Sequence, residues 1–209
     1  MITEVRTGAV SGVATDLLAR KDAHHLAVIG AGAQGRSHLA AMMEVRDIQK
    51  VTVYDQRREA AKKYQKEMEE KYKIPVMVCD SVEEAVKGAE IICTVTPSKE
   101  PYLKAEWITP GAHINAVGAF TPNTREIESS LMAKAKLYAD QVEAMKKECG
   151  EYMIPKNEGL FGEEHITGSI GGILAGQVPG RENDTEITLF DALGLAVEDV
   201  ACGRFLCRE

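Results

Sequence analysis

Aromatic residues make up only 5% of the 209-residue chain, and no stretch approaches the roughly 18 consecutive apolar residues of a membrane helix. Glu4, Arg6 and Asp16 interrupt the N-terminal stretch, which is unlike a secretory signal, so a cytoplasmic location is the default expectation. The five cysteines (Cys79, Cys93, Cys149, Cys202 and Cys207) are an odd number without a CxxC pair, and Cys79 and Cys93 fall inside apolar runs. That pattern suits buried reduced thiols and argues against structural disulfides and a metal site. A basic stripe interleaved with aromatics is also missing and the formal net charge is -7, so neither nucleic acid nor a membrane is an expected partner. What is present, 44% apolar and 27% charged residues, is enough for a real core in one large or two small domains.

Six short apolar or β-branched runs recur along the chain: 26–30, 51–55, 76–80, 91–95, 113–118 and 136–140. Helix-like stretches rich in Ala, Glu, Lys and Met separate them, over 37–45, 57–71, 82–88 and 125–133. Ser81 followed by Glu84 reads as a capping box at one helix start. Strands without polar alternation, joined by helices, predict a doubly wound α/β domain with a parallel sheet covered on both faces.

Gly30, Gly32 and Gly35 form a GxGxxG that follows a predicted strand and opens a predicted helix, the context a dinucleotide fingerprint requires. The first glycine permits the tight turn, the second lets backbone approach a pyrophosphate, and the third lets helix and strand pack closely at a positive helix N-terminus. Asp55 stands at the end of the second strand, 25 positions after Gly30, where a carboxylate accepts hydrogen bonds from ribose hydroxyls. The simpler alternative, glycines that only make a turn and an aspartate that only caps a helix, does not explain their joint occurrence in that order. A carboxylate there repels an extra phosphate and favours NAD, although Arg57 and Arg58 follow and leave NADP possible.

Five segments, "EVRTGAVSGVATDLLA", "VIGAGAQGRSH", "TVTPSKEPYL", "GAHINAVGAFTPNTREI" and "EITLFDALGLAVEDVA", together resemble the ornithine cyclodeaminase and mu-crystallin family, over essentially the whole chain. That family includes archaeal-type alanine dehydrogenases and ketimine or pyrroline-2-carboxylate reductases. The resemblance implies a Rossmann domain plus a second domain that binds a small amino or imino acid and forms a homodimer. It implies that Ala33 and Gln34 lie against the pyrophosphate, that Asp55 holds the adenosine ribose, and that Thr96, Val117 and Gly118 sit near the nicotinamide half. Arg6 and Thr7 match the family's "RT" pair, the arginine serving the substrate carboxylate and the neighbouring phosphate; unaided by the resemblance, Arg6 also reads as a surface arginine on an amphipathic helix.

Family members begin with a substrate domain before the "TEVRTGA" motif, so the chain is expected to be N-terminally truncated, whatever the status of Met1. The expected division is a helix at 1–20 leading in from that absent domain, a Rossmann domain at 21–158, and a C-terminal segment at 159–209 belonging to the substrate and dimerisation domain. Without its partner, that last segment is expected to expose apolar faces at 169–176 and 189–206.

Where the cyclodeaminases of the family carry a proton-transferring aspartate and a nearby lysine, this chain has Phe120 and Thr124. A phenylalanine cannot move a proton, so the expected activity is an NAD(P)-dependent dehydrogenase or imine reductase. The alternatives are an ammonia-releasing ornithine cyclodeaminase and a non-catalytic dinucleotide-binding fragment. No residue is assigned to proton transfer. His113 reads as a hydrogen-bonded strand residue, His24 and His25 as surface, His38 as packed or solvated, and adjacent Glu198 and Asp199 as pointing apart.

Overall fold

A computed structural model describes residues 2–207; Met1, Arg208 and Glu209, at the outer edges of the first and last expected segments, lie outside it. In chain order the elements are α1 (Ile2–Leu18), β1 (His25–Ile29), α2 (Ala33–Val45), β2 (Lys50–Tyr54), α3 (Arg58–Tyr72), β3 (Val76–Val78), α4 (Val82–Val86), β4 (Ile91–Thr94), β5 (His113–Ala116), α5 (Ser129–Lys134), β6 (Lys136–Ala139), α6 (Val142–Glu148), α7 (Gly150–Asn157), β7 (Ile166–Ser169), α8 (Ile170–Leu174), β8 (Thr188–Asp191) and α9 (Ala196–Leu206). All strands pair in parallel in one sheet of order β3-β2-β1-β4-β5-β8-β6-β7.

The alternation of side chains along each strand sends two sets of residues to opposite faces. Ala27, Ile29, Ile92, Ile114, Leu137 and Leu189 meet Ala85, Leu131, Met145 and Tyr152 of α4, α5, α6 and α7 on one face. On the other, Leu26, Val28, Ile91 and Cys93 pack under Leu39 and Met42 of α2 and Tyr64 of α3. Tyr138 and Phe190 pack there under Ala14 and Leu18 of α1. The sheet is therefore wound on both faces, as the unalternated apolar runs imply.

Two strands exceed the sequence reading. β7 and β8 lie beyond residue 158, and β8 inserts between β5 and β6, so the sheet runs straight through the expected boundary between 158 and 159. Leu189 and Phe190, expected to be exposed, are fully buried as members of that inserted strand. The other part of the expectation holds: Leu174, Val197, Val200 and Phe205 are among the exposed large apolar residues.

Three further corrections have local causes. The helix expected over 125–133 begins only at Ser129, because Ile127 bridges Leu103 as extended chain. His25 is buried, its ring bonded to Gly88 O at 3.0 Å and Thr52 Oγ1 at 3.1 Å, whereas His24 is half exposed. Ser81 caps α4 by accepting from Glu84 N at 3.0 Å, but the returning Glu84 carboxylate takes Asp80 N rather than Ser81 N.

Candidate functional site

Chain order in the sheet reverses at β1: β2 and β3 extend to one side, β4 and β5 to the other. The loops after β1 and β4 consequently diverge at the C-terminal ends of the strands and leave a crevice, the usual ligand position in open α/β sheets. Two cavities occupy it and share Val95, Thr96 and Pro97 as their common wall.

The larger, about 560 Å³, is lined by Gly30, Gly32, Asp55, Arg57, Thr96 and Tyr102 among others. Its floor depends on small residues. Gly30 adopts φ +111°, which L side chains rarely adopt, and a Cβ on Gly35 would run into the carbonyl oxygen of Gly30. A Cβ on Gly32 would meet nothing within 4 Å, so backbone there faces open space. Gly32 N-caps α2 without a side-chain cap, which leaves the N–H groups of Ala33, Gln34 and Gly35 without intrahelical partners at the positive end of the helix. Asp55 accepts from Ala31 N and Arg57 N, each at 2.9 Å, with one carboxylate oxygen apiece. Each oxygen keeps a second lone pair for another donor. Arg57 is exposed beside Asp55, while Arg58 pairs with Asp80 and is not among the groups that line the cavity.

The second cavity, about 450 Å³, is lined by Arg6, Thr7, Gln34, Thr96, Val117 and Gly118, with Phe120 also on its wall and 65% exposed. Arg6 is one cation on that wall, and it is held from behind: its Nη1 donates to Glu198 Oε2 at 3.2 Å and its Nε lies 3.5 Å from Asp199 Oδ1. Glu198 and Asp199 were expected to diverge; both reach Arg6 from the first turn of α9. Arg6 Nε and Thr7 Oγ1 are buried without hydrogen-bond partners.

Of the residues implicated by sequence, Gly30, Gly32 and Asp55 line the first cavity, Arg6, Thr7, Gln34, Val117 and Gly118 the second, and Thr96 both. Two stand apart. The Ala33 side chain faces a separate groove between α1 and α2, leaving only its backbone at the helix mouth, and Gly35 lies buried behind the turn. Thr124 bonds Thr121 and does not line the cavity. His113 is fully buried and bonded to Thr188 Oγ1 at 3.0 Å, with its pKa pushed down to about 3 by burial, which makes it a neutral strand residue. His38 is likewise buried, joining α2 to α1 through Ser11 Oγ at 3.0 Å.

One important group went unread in the sequence. Glu126 is fully buried behind the shared wall, and its carboxylate accepts from Thr96 N at 2.8 Å, Thr96 Oγ1 at 2.6 Å, Tyr102 Oη at 2.6 Å and Gly118 N at 2.9 Å. Burial raises its pKa from the ordinary carboxylate value, while the hydrogen bonds from Thr96 and Tyr102 act to lower it. Glu126 fell inside the helix-like stretch 125–133, which gave no reason to look here; the paired Ser129 and Ser130, typical of a helix start, were the available hint that Glu126 precedes the helix.

The chain matches the ornithine cyclodeaminase/mu-crystallin family over residues 1–208. The Delta(1)-pyrroline-2-carboxylate reductase of Bacillus cereus is 41% identical over 206 residues, which are 98% of this chain and 63% of that protein. The structure of Thermococcus litoralis Delta(1)-pyrroline-2-carboxylate reductase in complex with NADH and L-proline superposes with a TM-score of 0.95 at 44% identity, covering 97% of this chain and 63% of that one. An archaeal alanine dehydrogenase dimer with bound NAD gives a TM-score of 0.93 at 40% identity, covering 99% and 63%. The chain thus spans slightly less than two thirds of the length of these relatives.

Proposed function

The chain belongs to the ornithine cyclodeaminase/mu-crystallin family, and we propose that it serves as an NAD-dependent oxidoreductase acting on the carbon–nitrogen bond of a small amino acid or cyclic imino acid. The observation that carries this reading is the crevice itself: a glycine-lined helix mouth and Asp55 at one end, Arg6 and Thr7 at the other, with Thr96 between them. The residues fit a dinucleotide. The uncapped first turn of α2 offers backbone N–H groups to a pyrophosphate, the missing Cβ of Gly32 leaves room for it, and Asp55 retains acceptor capacity for ribose hydroxyls. Thr96, Val117 and Gly118 would border the nicotinamide half, and the buried, unpartnered Thr7 Oγ1 is a donor suited to the substrate side beside the Arg6 guanidinium.

When bound, the nicotinamide ring supplies or accepts the hydride. The chain's own part is orientation. The Arg6 fork matches a substrate carboxylate, and Glu198 with Asp199 hold that fork against the cavity. Val117, Phe120 and Leu193 give the cavity an apolar wall beside the reacting bond. The Bacillus cereus and Thermococcus litoralis relatives are pyrroline-2-carboxylate reductases, the second held with NADH and L-proline, which favours a cyclic imino acid as substrate class. Asp55 favours NAD over NADP, Arg57 being the one neighbouring arginine that faces the cavity. Ornithine cyclodeamination is disfavoured by Phe120, which stands on the cavity wall and carries no titrating group. The dimeric alanine dehydrogenase and the exposed Val197, Val200 and Phe205 support a homodimer.

The test is incubation with NADH or NADPH and a panel of cyclic imines or pyruvate with ammonia, and with NAD+ and ornithine, following reduced-nicotinamide absorbance and ammonia together. Net oxidation of NADH by a cyclic imine supports the reading. Ammonia release from ornithine without net absorbance change would replace it with the cyclodeaminase.

A further inference from the structure

We propose that Glu126 is a positioning residue that sets the nicotinamide end of the crevice by tying the loops after β4 and β5 to a single carboxylate. The inference rests on the dinucleotide reading above and deepens it. Every hydrogen bond to that carboxylate comes from a cavity wall: Thr96 borders both cavities, Gly118 the second and Tyr102 the first. Thr96 N and Thr96 Oγ1 belong to the segment leaving β4, and Gly118 N to the segment leaving β5.

Four donors converge on two oxygens, and only an ionised carboxylate accepts from all of them without presenting a donor of its own. A glutamine keeps one accepting oxygen and turns an amide nitrogen towards Gly118 N or Thr96 N, donor against donor. The carboxylate is aimed by its own backbone. Glu126 N donates to Glu151 Oε1 at 2.5 Å, Ile127 N to Glu151 Oε2 at 3.2 Å, and Glu126 O accepts from Tyr102 N and Leu103 N at 2.8 and 2.9 Å. The glycine opposite completes the fit, since a Cβ on Gly118 would come within 2.5 Å of Glu126 Oε2 and would also strike Thr96 O. Gly118 is thus hemmed in by the Thr96 carbonyl and the Glu126 carboxylate together.

Burying a carboxylate is costly, and packing alone is served as well or better by an apolar side chain. What an apolar residue cannot do is fix two loop amides and a hydroxyl at set positions. Gly30, Gly32 and Asp55, which shape the helix mouth and the ribose side of the first cavity, make no hydrogen bond to Glu126; its network reaches that cavity only at Thr96 and Tyr102, on the wall away from the helix mouth's own amides. Loss of the carboxylate therefore falls first on the wall shared by the two cavities and on the nicotinamide side, and leaves the helix mouth and Asp55 in place.

The experiment titrates the 209-residue chain and its E126Q, E126D and Y102F variants with two probes, NADH and ADP, by calorimetry and by nicotinamide emission, after melting curves confirm folding. For E126Q the expected result is NADH affinity reduced about tenfold or more, with ADP affinity within about threefold of wild type. E126D, which keeps the charge on a shorter arm, recovers part of the NADH affinity. Should E126Q fail to fold, Y102F decides the matter: it removes one of the four donors, and a loss of about threefold confined to NADH supports the proposal. Equal loss of both probes in a folded variant, or loss of neither, overturns it. A wild-type chain that binds neither probe overturns the dinucleotide reading itself, and the proposal with it.

Discussion

Every group lining the glycine-bounded cavity comes from residues 29–102, one continuous run of the chain from β1 to the loop beyond β4, whereas the Arg6 cavity draws on residues from Thr3 to Leu193. The first is shaped mainly by backbone: a turn at positive φ, an uncapped helix start and an aspartate whose oxygens are already oriented by two amides. The second is shaped by side chains that meet only because β8 enters the sheet between β5 and β6 and brings α9 under α1. The comparison teaches that the adenosine end is built by local backbone and that the substrate end depends on long-range assembly. Substitutions should accordingly separate the two.

The largest effect is expected at Gly35. Alanine there collides with the backbone oxygen of Gly30, which no rotamer change relieves, so G35A should abolish NADH and ADP binding alike and lower the melting temperature. Differential scanning fluorimetry and titration would read both; unaltered ADP binding would show that the turn tolerates bulk and would break the contrast. Next comes Asp55. Charge-assisted hydrogen bonds contribute about 1.5–3 kcal/mol each, so D55A should weaken NADH and ADP together by roughly ten- to a hundredfold.

At the other end, R6A should leave ADP binding unchanged and remove the affinity of the NADH-loaded chain for L-proline, measured by calorimetry. Replacing Glu198 by Gln removes one of the two carboxylates that hold the Arg6 fork, so E198Q should weaken L-proline by a few-fold, roughly 1 kcal/mol for a partly exposed pair. Unchanged L-proline affinity in both variants would remove Arg6 from the substrate site.

The smallest effect concerns pH and stability. Burial pushes the Asp191 carboxyl up to about 8, against about 3.9 for an unfolded aspartate. A raised folded pKa gives a contribution that is complete below the unfolded value and lost as pH rises through about 8. His38 and His113 have the opposite sign: burial lowers them to about 4 and about 3, so their contribution is present above an unfolded value of about 6.5 and lost as pH falls towards those values. The melting temperature should therefore peak between the two limbs. D191N should flatten the alkaline limb by about 3 °C or more and leave the acid limb intact.

How much of this was legible in the sequence follows the same division. The α/β class, the strand–glycine–helix order, Asp55 and the capping residue Ser81 are written within short windows, where period and turn chemistry act locally. The five-segment resemblance added Arg6, Thr7, Thr96, Val117 and Gly118. Glu126 stayed hidden because its importance lies in four donors from the two segments that leave β4 and β5, three of those donors 24 to 30 positions away, and because Ile127 pairs with Leu103 where helix periodicity was expected. Glu198 and Asp199 were misjudged since their shared partner lies 192 residues away. β8 was missed for a related reason: "TLFD" is too short to identify as a strand until β5 and β6 are known to flank it.

The account's central claim is that the crevice between the loops after β1 and β4 holds a nicotinamide dinucleotide. Titrating the chain with NADH while recording nicotinamide emission and the melting temperature tests it most directly. At about a hundred times the dissociation constant, binding should contribute about 2.7 kcal/mol and raise the melting temperature by roughly 5–10 °C, with saturable emission. An unshifted melting temperature and unsaturable emission at millimolar NADH would contradict it.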